Sequence, residues 1–353
     1  MNRIPHILLI TILILTGCKD HQSYDPESAQ SENIPIEFGV SSDLSVESKA
    51  PITTNTDAGF IAFADLTVSG SDPVSVFGDG GQVVTHNGST WSYSPVRYWQ
   101  VGSYFFAGVM PAADFYTAAF STNDQGNKQV TLDFGKDEND RKKGYDLAGI
   151  QADLMASFAP VQMQNLASPS PVDFVFSHQL AWVVIEAASM DAGLGDDGIM
   201  INELKVYGNS PATEGDIVYT YNNGNITVDQ TLVAPTDEEN VYKTFTPAAG
   251  AAADKDWKLV KHGAEAPVYD TLVPELLVFP EECTFYIIVT YTEDGIKKTR
   301  KGFLAADWEA GKKYTYKLHL ATDISFSVSV SGWVKENVSD GDSTDADDDI
   351  EII

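Results

Sequence analysis

The stretch from Trp91 to Pro111, WSYSPVRYWQVGSYFFAGVMP, is the densest aromatic passage of the chain. Trp91 and Tyr93 alternate with serines, which is typical of a strand with one buried face. The run from Tyr104 to Met110 is almost entirely apolar and too short for a helix, so it predicts a strand buried on both faces. We therefore expect a β-sheet core here, with the aromatic side chains as packing groups.

Short turn signals separate the apolar runs along the chain. Asn-Gly occurs at Asn87-Gly88 and at Asn223-Gly224, and Asp294-Gly295 follows an apolar run. Such dipeptides favour tight hairpins because the turn residues adopt positive φ. Since no long amphipathic helical pattern is present, these signals predict an all-β architecture.

The charge balance and the motif content exclude several classes of function. Asp and Glu number 51 against 22 Lys and Arg, a net charge of −29 that repels phosphate backbones, so we expect no nucleic acid partner. Motifs of serine hydrolases, zinc proteases and nucleotide-binding loops are absent from the sequence, and we expect no enzyme activity, cofactor or metal. A glycosidase carboxylate pair cannot be recognised among this many acids.

The N-terminus has the pattern of an exported lipoprotein. An apolar run from Ile7 to Leu15 follows Arg3, and it indicates a signal peptide because it is too short to span a bilayer. The run ends in Leu-Thr-Gly-Cys, which resembles the lipobox of bacterial lipoproteins. That resemblance implies acylation of Cys18 and a surface-exposed protein anchored in the outer membrane. The alternative is an ordinary signal peptide with a chance cysteine.

Residues 34–40 predict a strand with one inward face and a proline at its start. The alternating apolar positions are Ile34, Ile36, Phe38 and Val40. A polar stretch then leads to Lys49-Ala50, and an apolar strand of the main body starts after Gly59.

Several further motifs follow in a fixed order. They are the aromatic passage at Trp91, Phe-Ser-His-Gln-Leu-Ala from Phe176, Trp-x-x-Gly-x-x-Tyr-x-Tyr from Trp308, and a strictly alternating strand that ends at Trp333. Together with the lipobox they resemble the fimbrillin family of Bacteroidetes surface lipoproteins. The resemblance implies two tandem transthyretin-like β-sandwich domains and a subunit of a surface pilus.

On this basis the chain divides into five parts. They are a signal peptide at 1–18, a tether and removable first strand at 19–49, an N-terminal β-sandwich at 50–209, a C-terminal β-sandwich at 210–335 and an acidic tail at 336–353. His178 lies in a predicted strand at 172–182 and has no other metal-ligating residue at ligand spacing. We expect a backbone carbonyl to satisfy its hydrogen bond.

The resemblance also implies a mechanism of assembly. In fimbrillins a trypsin-like protease removes the first strand, and a strand of the next subunit fills the groove that is left. The matching site here is Lys49, cleaved before Ala50, although many members have Arg at that position. Lys49 as a plain surface-loop residue is the alternative. The tail offers only Ile350 and Ile352 as alternating apolar residues, which favours a tip or accessory subunit that accepts a strand.

The expected partners follow from this resemblance. They are other pilus subunits, outer-membrane lipid through the acylated Cys18, and a ligand on a host or bacterial surface. The alternative function is a surface glycan-binding lipoprotein that never polymerises. Such a protein would need two or three exposed aromatic side chains on one loop face.

Overall fold

The computed structural model describes residues 34–40, 59–112, 116–133, 152–163, 166, 169–189, 199–207, 216–230, 241–247, 258–259, 269–320, 324–332 and 350–351. Within these ranges the chain forms strands and no helix, so the all-β prediction is confirmed. None of the described residues belongs to a helix that is long and apolar enough to cross a membrane. The predicted lipidation and processing residues, Cys18, Lys49 and Ala50, lie outside the described ranges.

The strands before residue 190 are β1 (Phe38–Val40), β2 (Phe60–Thr67), β3 (Val74–Ser75), β4 (Gln82–His86), β5 (Trp91–Ser92), β6 (Gly102–Met110), β7 (Thr117–Thr122), β8 (Lys128–Asp133), β9 (Met155–Met163), β10 (Val172–Phe174), β11 (Ser177–His178) and β12 (Ala181–Ser189). Those after it are β13 (Ile199–Tyr207), β14 (Asp216–Asn222), β15 (Asn225–Gln230), β16 (Val241–Phe245), β17 (Lys258–Leu259), β18 (Asp270–Val278), β19 (Glu282–Glu293), β20 (Ile296–Asp307), β21 (Lys312–Leu320), β22 (Ile324–Gly332) and β23 (Ile350–Glu351).

Two sheets pack face to face in the first sandwich. A seven-stranded sheet has the order β11-β9-β6-β2-β4-β5, with β3 paired to β2, and a four-stranded sheet has the order β15-β14-β8-β7. Phe63 and Val109 of the larger sheet share a buried cluster with Leu132 of the smaller one. Because side chains alternate along a strand, Phe60 and Phe106 lie on the opposite face of the larger sheet. That face has its own cover, formed by β1 and β10.

The second sandwich also consists of two sheets. One has the order β18-β12-β21-β22-β23, and the other has the order β16-β13-β19-β20, with β17 paired to β13. Ile185 of β12, Ile201 of β13 and Ile287 of β19 lie in one buried core between these sheets. In the same core the indole N–H of Trp308 donates to the hydroxyl of Tyr316 at 3.0 Å.

The strand pairing crosses the predicted boundary at residues 209 and 210. β12 and β13 precede that boundary but pair with β18, β21 and β19 of the second sandwich. The hairpin of β14 and β15 follows it but pairs with β8 of the first sandwich. The two sandwiches are therefore interleaved along the chain. A turn-rich segment predicts where the chain reverses, but it does not determine which sheet the next strand joins.

The segment 172–182, predicted as one strand, is divided among three. β10 pairs with β1, β11 pairs with β9, and β12 starts the second sandwich. Phe174, Phe176 and Leu180 are all buried, so the apolar alternation is real. An alternating pattern indicates which side chains are buried. It does not show that Phe174 and Phe176 lie in one buried cluster and Leu180 in another.

The predicted tight turns are confirmed by the backbone. Gly88, Gly224 and Gly295 have φ values of 91°, 92° and 74°. Asn87 stabilises the first of these turns, because its side-chain oxygen accepts hydrogen bonds from the N–H groups of Ser89 and Thr90 at 3.1 and 3.0 Å. The paired strands are β4 with β5, β14 with β15, and β19 with β20.

A substitution at Gly59, directly before β2, tests how closely the backbones of β2 and β4 pack. Its φ is +72°, and a Cβ atom there would lie 2.2 Å from the carbonyl oxygen of Val84. Gly70 has a similar φ of +82° but no atom within 4 Å of such a Cβ. We predict that Gly59→Ala lowers the free energy of unfolding by about 2 kcal/mol more than Gly70→Ala, which carries only the backbone cost. Thermal unfolding followed by circular dichroism measures both, and equal losses would contradict this packing.

Candidate functional site

Residues 34–40 form the cover of the first sandwich with one face buried. Ile36 is 1% exposed and Phe38 is 7% exposed, whereas Glu37 between them faces solvent. Ile34 and Val40 are partly buried and pack against the same cluster. The burial therefore follows the alternation in the sequence. We call the surface that receives this segment the first-strand groove.

One side of the first-strand groove is the chain segment 97–99. The Ile36 N–H donates to the carbonyl of Arg97 at 2.8 Å, and the Trp99 N–H donates to the carbonyl of Ile34 at 2.9 Å. Between them Pro35 and Tyr98 form an antiparallel bridge. Proline fits this position because an edge residue needs no N–H for a ladder.

The other side of the groove is β10, which pairs with β1 in parallel. Phe38 is opposite Val172, and Val40 is opposite Phe174. The Val172 N–H donates to the carbonyl of Glu37 at 2.8 Å. Among the described strands, β1 is the one ladder partner of β10. The segment thus changes partner near Glu37, from segment 97–99 to β10.

Tyr93 fixes the backbone at the middle of the groove. Its hydroxyl donates to the carbonyl of Ile36 at 2.8 Å and accepts from the N–H of Arg97 at 3.2 Å. Burial raises the pKa of Tyr93, and the backbone hydrogen bond with Arg97 acts in the opposite direction. The sequence pattern placed Tyr93 in a strand, but β5 ends at Ser92 and Tyr93 instead holds the first segment.

Phe38 sits among five aromatic rings, which makes it the centre of the groove. Its ring centroid lies 5.3 to 6.3 Å from those of the surrounding side chains. They are Phe60, Phe77, Tyr93, Phe106 and Phe174. Such tilted and edge-on contacts add to the burial of apolar area. Sequence reasoning found Phe38 but not these partners, which come from five separate segments.

Beside Ile34 the groove opens into a cleft of about 720 Å³. Its lining includes the apolar side chains of Val74, Val96 and Tyr98, which are 65%, 45% and 45% exposed. Segment 97–99 borders both the cleft and residues 34–36. The apolar surface of the groove therefore continues past the start of the first segment.

His178 is paired with a carboxylate, where the sequence predicted a backbone carbonyl as its partner. Its Nδ1 lies 2.9 Å from Oδ2 of the buried Asp153. Burial raises the pKa of Asp153, and His178 opposes that shift. The pair ties β11 to the residues that precede β9. Among the described residues no cluster of three or more His, Cys, Asp or Glu side chains is placed to hold a metal ion.

Comparisons with known proteins identify relatives of the whole fold. A family model described as fimbrillin-like matches residues 52–333. The crystal structure of a fimbrial protein from Bacteroides vulgatus aligns with a TM-score of 0.56 and 17% identity, over 86% of this chain and 100% of that chain. At this identity the alignment supports a shared fold. No curated protein sequence matches the chain.

Two further structures align with lower TM-scores. A protein with an inferred cell-adhesion role from Bacteroides uniformis has a TM-score of 0.42 and 16% identity, over 85% of this chain and 99% of that one. The fimbrial anchor protein Mfa2 from Porphyromonas gingivalis has a TM-score of 0.34 and 9% identity, over 85% of this chain and 97% of that one.

Truncation of Phe38 tests its place at the centre of the groove. We predict that Phe38→Ala lowers the free energy of unfolding by about 3–5 kcal/mol, because it empties a site enclosed by rings. Phe303→Ala is the matched control, since Phe303 is 56% exposed and its loss should cost less than about 1 kcal/mol. Urea unfolding measures both variants. A Phe38→Ala loss no larger than that of Phe303→Ala would remove Phe38 from the core.

The Tyr93 hydroxyl provides a milder test of the same segment. Tyr93→Phe keeps the ring but removes the hydrogen bond to Ile36, so we expect a loss of about 1 kcal/mol and about fivefold faster local opening. Amide hydrogen exchange of residues 34–40 measures this opening. Tyr98→Phe, at a side chain that is 45% exposed, is the control and should leave exchange unchanged. Equal exchange in both variants contradicts the assigned bond.

Proposed function

The chain belongs to the fimbrillin-like family, and from that premise we propose that it is a structural and adhesive subunit of a cell-surface fimbria. In this proposal residues 34–40 are a removable strand, and a strand of a neighbouring subunit replaces them. The observation that carries the proposal is the first-strand groove, in which Ile36 and Phe38 are 1% and 7% exposed.

Loss of the segment would leave the groove incomplete in two ways. The carbonyl of Arg97 and the N–H groups of Trp99 and Val172 would lose their partners, and each lost hydrogen bond costs about 0.5–1.5 kcal/mol. Burial of the side chains of Ile36 and Phe38 contributes about 1.5–3 kcal/mol each. These terms together are comparable with the stability of a whole domain, about 5–15 kcal/mol. A trimmed subunit therefore needs a replacement strand.

The replacement strand is defined by what it must match. It needs apolar side chains two residues apart to take the places of Ile36 and Phe38, and a solvent-facing residue between them. Its backbone must pair with segment 97–99 and with β10, which is the recognition mode of strand addition to a sheet edge. The cleft of about 720 Å³ beside Ile34 offers such a strand apolar surface at which pairing can begin before the resident segment leaves.

Cleavage between Lys49 and Ala50 would convert the first segment into an exchangeable ligand. The bond lies between Val40 and Gly59, so the cut separates the described strands β1 and β2. In this proposal Cys18, at the end of the signal peptide pattern, carries the lipid that anchors the protein in the outer membrane. After the cut, the body of the subunit would stay at the membrane only while residues 34–40 remain in the groove. Strand exchange would then release the subunit from its lipid and join it to a neighbour in one step.

The proposed position is at the tip or in an accessory role. Ile350 and Glu351 form β23 and pair with Val328 and Ser327 of their own chain. A tail in this pairing is not available to a neighbour's groove, and its eight acidic residues between 336 and 353 disfavour entry into apolar surface. Both observations support a subunit that accepts a strand.

Processing at Lys49 is tested by the mass and N-terminus of the protein isolated from membranes. We expect the wild type to yield a species that starts at Ala50 and forms a ladder of oligomers on unheated gels. Lys49→Ala should leave the longer, acylated form and no ladder, because the first strand stays tethered. Lys143→Ala, which changes another lysine in a charged stretch, should process normally. A species that still starts at Ala50 in Lys49→Ala would show that cleavage does not depend on this lysine, and a new N-terminus would show that processing occurs at another bond.

A synthetic peptide separates strand exchange from other modes of assembly. A peptide of residues 33–41, added in excess to trimmed subunits, should occupy the groove and suppress the ladder. The same peptide with Ile36→Asp and Phe38→Asp should not, because the groove rejects buried charge. If both peptides or neither suppress the ladder, the oligomers are not held together through this groove.

A further inference from the structure

Two hairpin turns lie side by side at one end of the first sandwich. One joins β7 to β8 through residues 123–127, and the other joins β14 to β15 through Asn223 and Gly224. They are neighbours because Lys128 pairs with Tyr221 where β8 begins and β14 ends. Together with Phe105 of β6 they line a cleft of about 540 Å³. Sites for small ligands usually measure about 300–1,000 Å³.

Aromatic rings support the inner side of this cleft. The ring centroids of Phe105 and Tyr221 lie 4.8 Å apart, and that of Phe158 lies 6.1 Å from the first and 6.0 Å from the second. Phe120 stacks on Phe105 at 6.0 Å. All four side chains are partly exposed; Phe105 and Tyr221 line the cleft, and Phe120 and Phe158 pack against the buried cluster of the first sandwich. They form an apolar platform whose rings hold one another in place, which suits stacking against a flat apolar face.

Carboxamide side chains form the outer part of the same cleft. They belong to Gln125, Asn127, Asn222 and Asn223. Each carboxamide offers both N–H donors and a carbonyl acceptor, which is the combination that a hydroxyl group needs from its partners.

The turns that carry these carboxamides are braced by hydrogen bonds. The side-chain oxygen of Asn123 accepts from the backbone N–H groups of Gln125 and Asn127 at 3.0 and 2.9 Å. Gln129 joins the two hairpins by donating to the hydroxyl of Thr220 at 2.8 Å. The first turn therefore presents Gln125 and Asn127 on a braced backbone, which lowers the entropy lost on binding.

The charges around the cleft favour a neutral ligand. Lys128 is its one charged lining residue in the described chain, and its Nζ lies 2.6 Å from Oδ2 of Asp65. That pair leaves little net positive charge to attract an anion, and the net charge of −29 repels anions at long range. Among the described lining residues none is acidic, so the cleft offers a cation no carboxylate.

A ring platform, carboxamides on two adjacent turns and the lack of net charge together define the ligand class. Neutral sugars present an apolar face of C–H groups on each ring and hydroxyl groups around its edge. We propose that the cleft lined by Phe105, Tyr221 and the carboxamides of both turns binds a neutral oligosaccharide. This inference names a ligand class for the adhesive role proposed above and rests on that role. The cleft shares no residue with the first-strand groove, so binding requires neither cleavage nor assembly.

The direct test uses the full-length protein in detergent on an array of immobilised oligosaccharides that end in glucose, galactose or mannose, with sialylated and sulfated glycans alongside. We expect binding to a subset of the neutral glycans, and little effect of added salt because the recognition is not ionic. Binding only to the anionic glycans, or to none of the array, overturns the proposal.

Variants then locate the site by the dissociation constant for the best array ligand. Tyr221→Ala should weaken binding by at least about tenfold, whereas Tyr221→Phe keeps the ring and should stay within about threefold. Gln125→Ala, at an exposed turn position that does not affect folding of the core, should weaken binding about fivefold. Phe303→Ala, which removes an exposed ring of the second sandwich, is the control and should bind as the wild type. Equal affinities for Gln125→Ala, Tyr221→Ala and Phe303→Ala overturn the assignment.

The two proposals fail separately. Glycan binding by uncut monomers with no ladder after cleavage would support the cleft and reject strand exchange. A normal ladder of oligomers with no neutral glycan bound would support strand exchange and reject the glycan cleft.

Discussion

The burial of Phe38 among five rings completes the core of the first sandwich. The seven-stranded sheet is apolar on both faces, since β2 directs Phe63 to one side and Phe60 to the other. The four-stranded sheet covers only the first side. The second side depends on β10 and on a short segment that precedes the sandwich in sequence. A fold built in this way is stable with the segment in place and incomplete without it.

This dependence connects the architecture to the proposed assembly. A covering strand that joins the body at its edge, through few backbone hydrogen bonds, can be exchanged for another of similar pattern. The interleaving of the two sandwiches, in contrast, holds the rest of the chain together. Because β12 and β13 belong to the second sandwich and the β14–β15 hairpin returns to the first, the chain crosses between them more than once. Removal of the first segment should therefore leave the two sandwiches connected to each other.

The local features of the fold could be predicted from sequence, because they depend on neighbouring residues. Alternation located the buried face of residues 34–40, and the turn dipeptides located three hairpins. The strand pairing could not be predicted, since the turn-type residues Gly208-Asn209-Ser210-Pro211 carry no information about the partner of β14. The same limit applies to His178, whose partner Asp153 comes from another segment. The cleft proposed to bind glycans had no signal in the sequence, because Phe105 and Tyr221 are distant in sequence and meet only where the two sheets of the first sandwich pack together.

The measurement that tests the exchangeable groove most directly is hydrogen exchange at the amides of Trp99 and Val172, followed in uncut protein, in trimmed monomer and in assembled oligomer. Both amides donate to residues 34–40 in the intact chain. The account predicts slow exchange in the uncut protein, fast exchange in the trimmed monomer, and slow exchange again in oligomers from which residues 34–40 are absent by mass. Oligomers that still contain the original segment, or in which both amides stay unprotected, would contradict it.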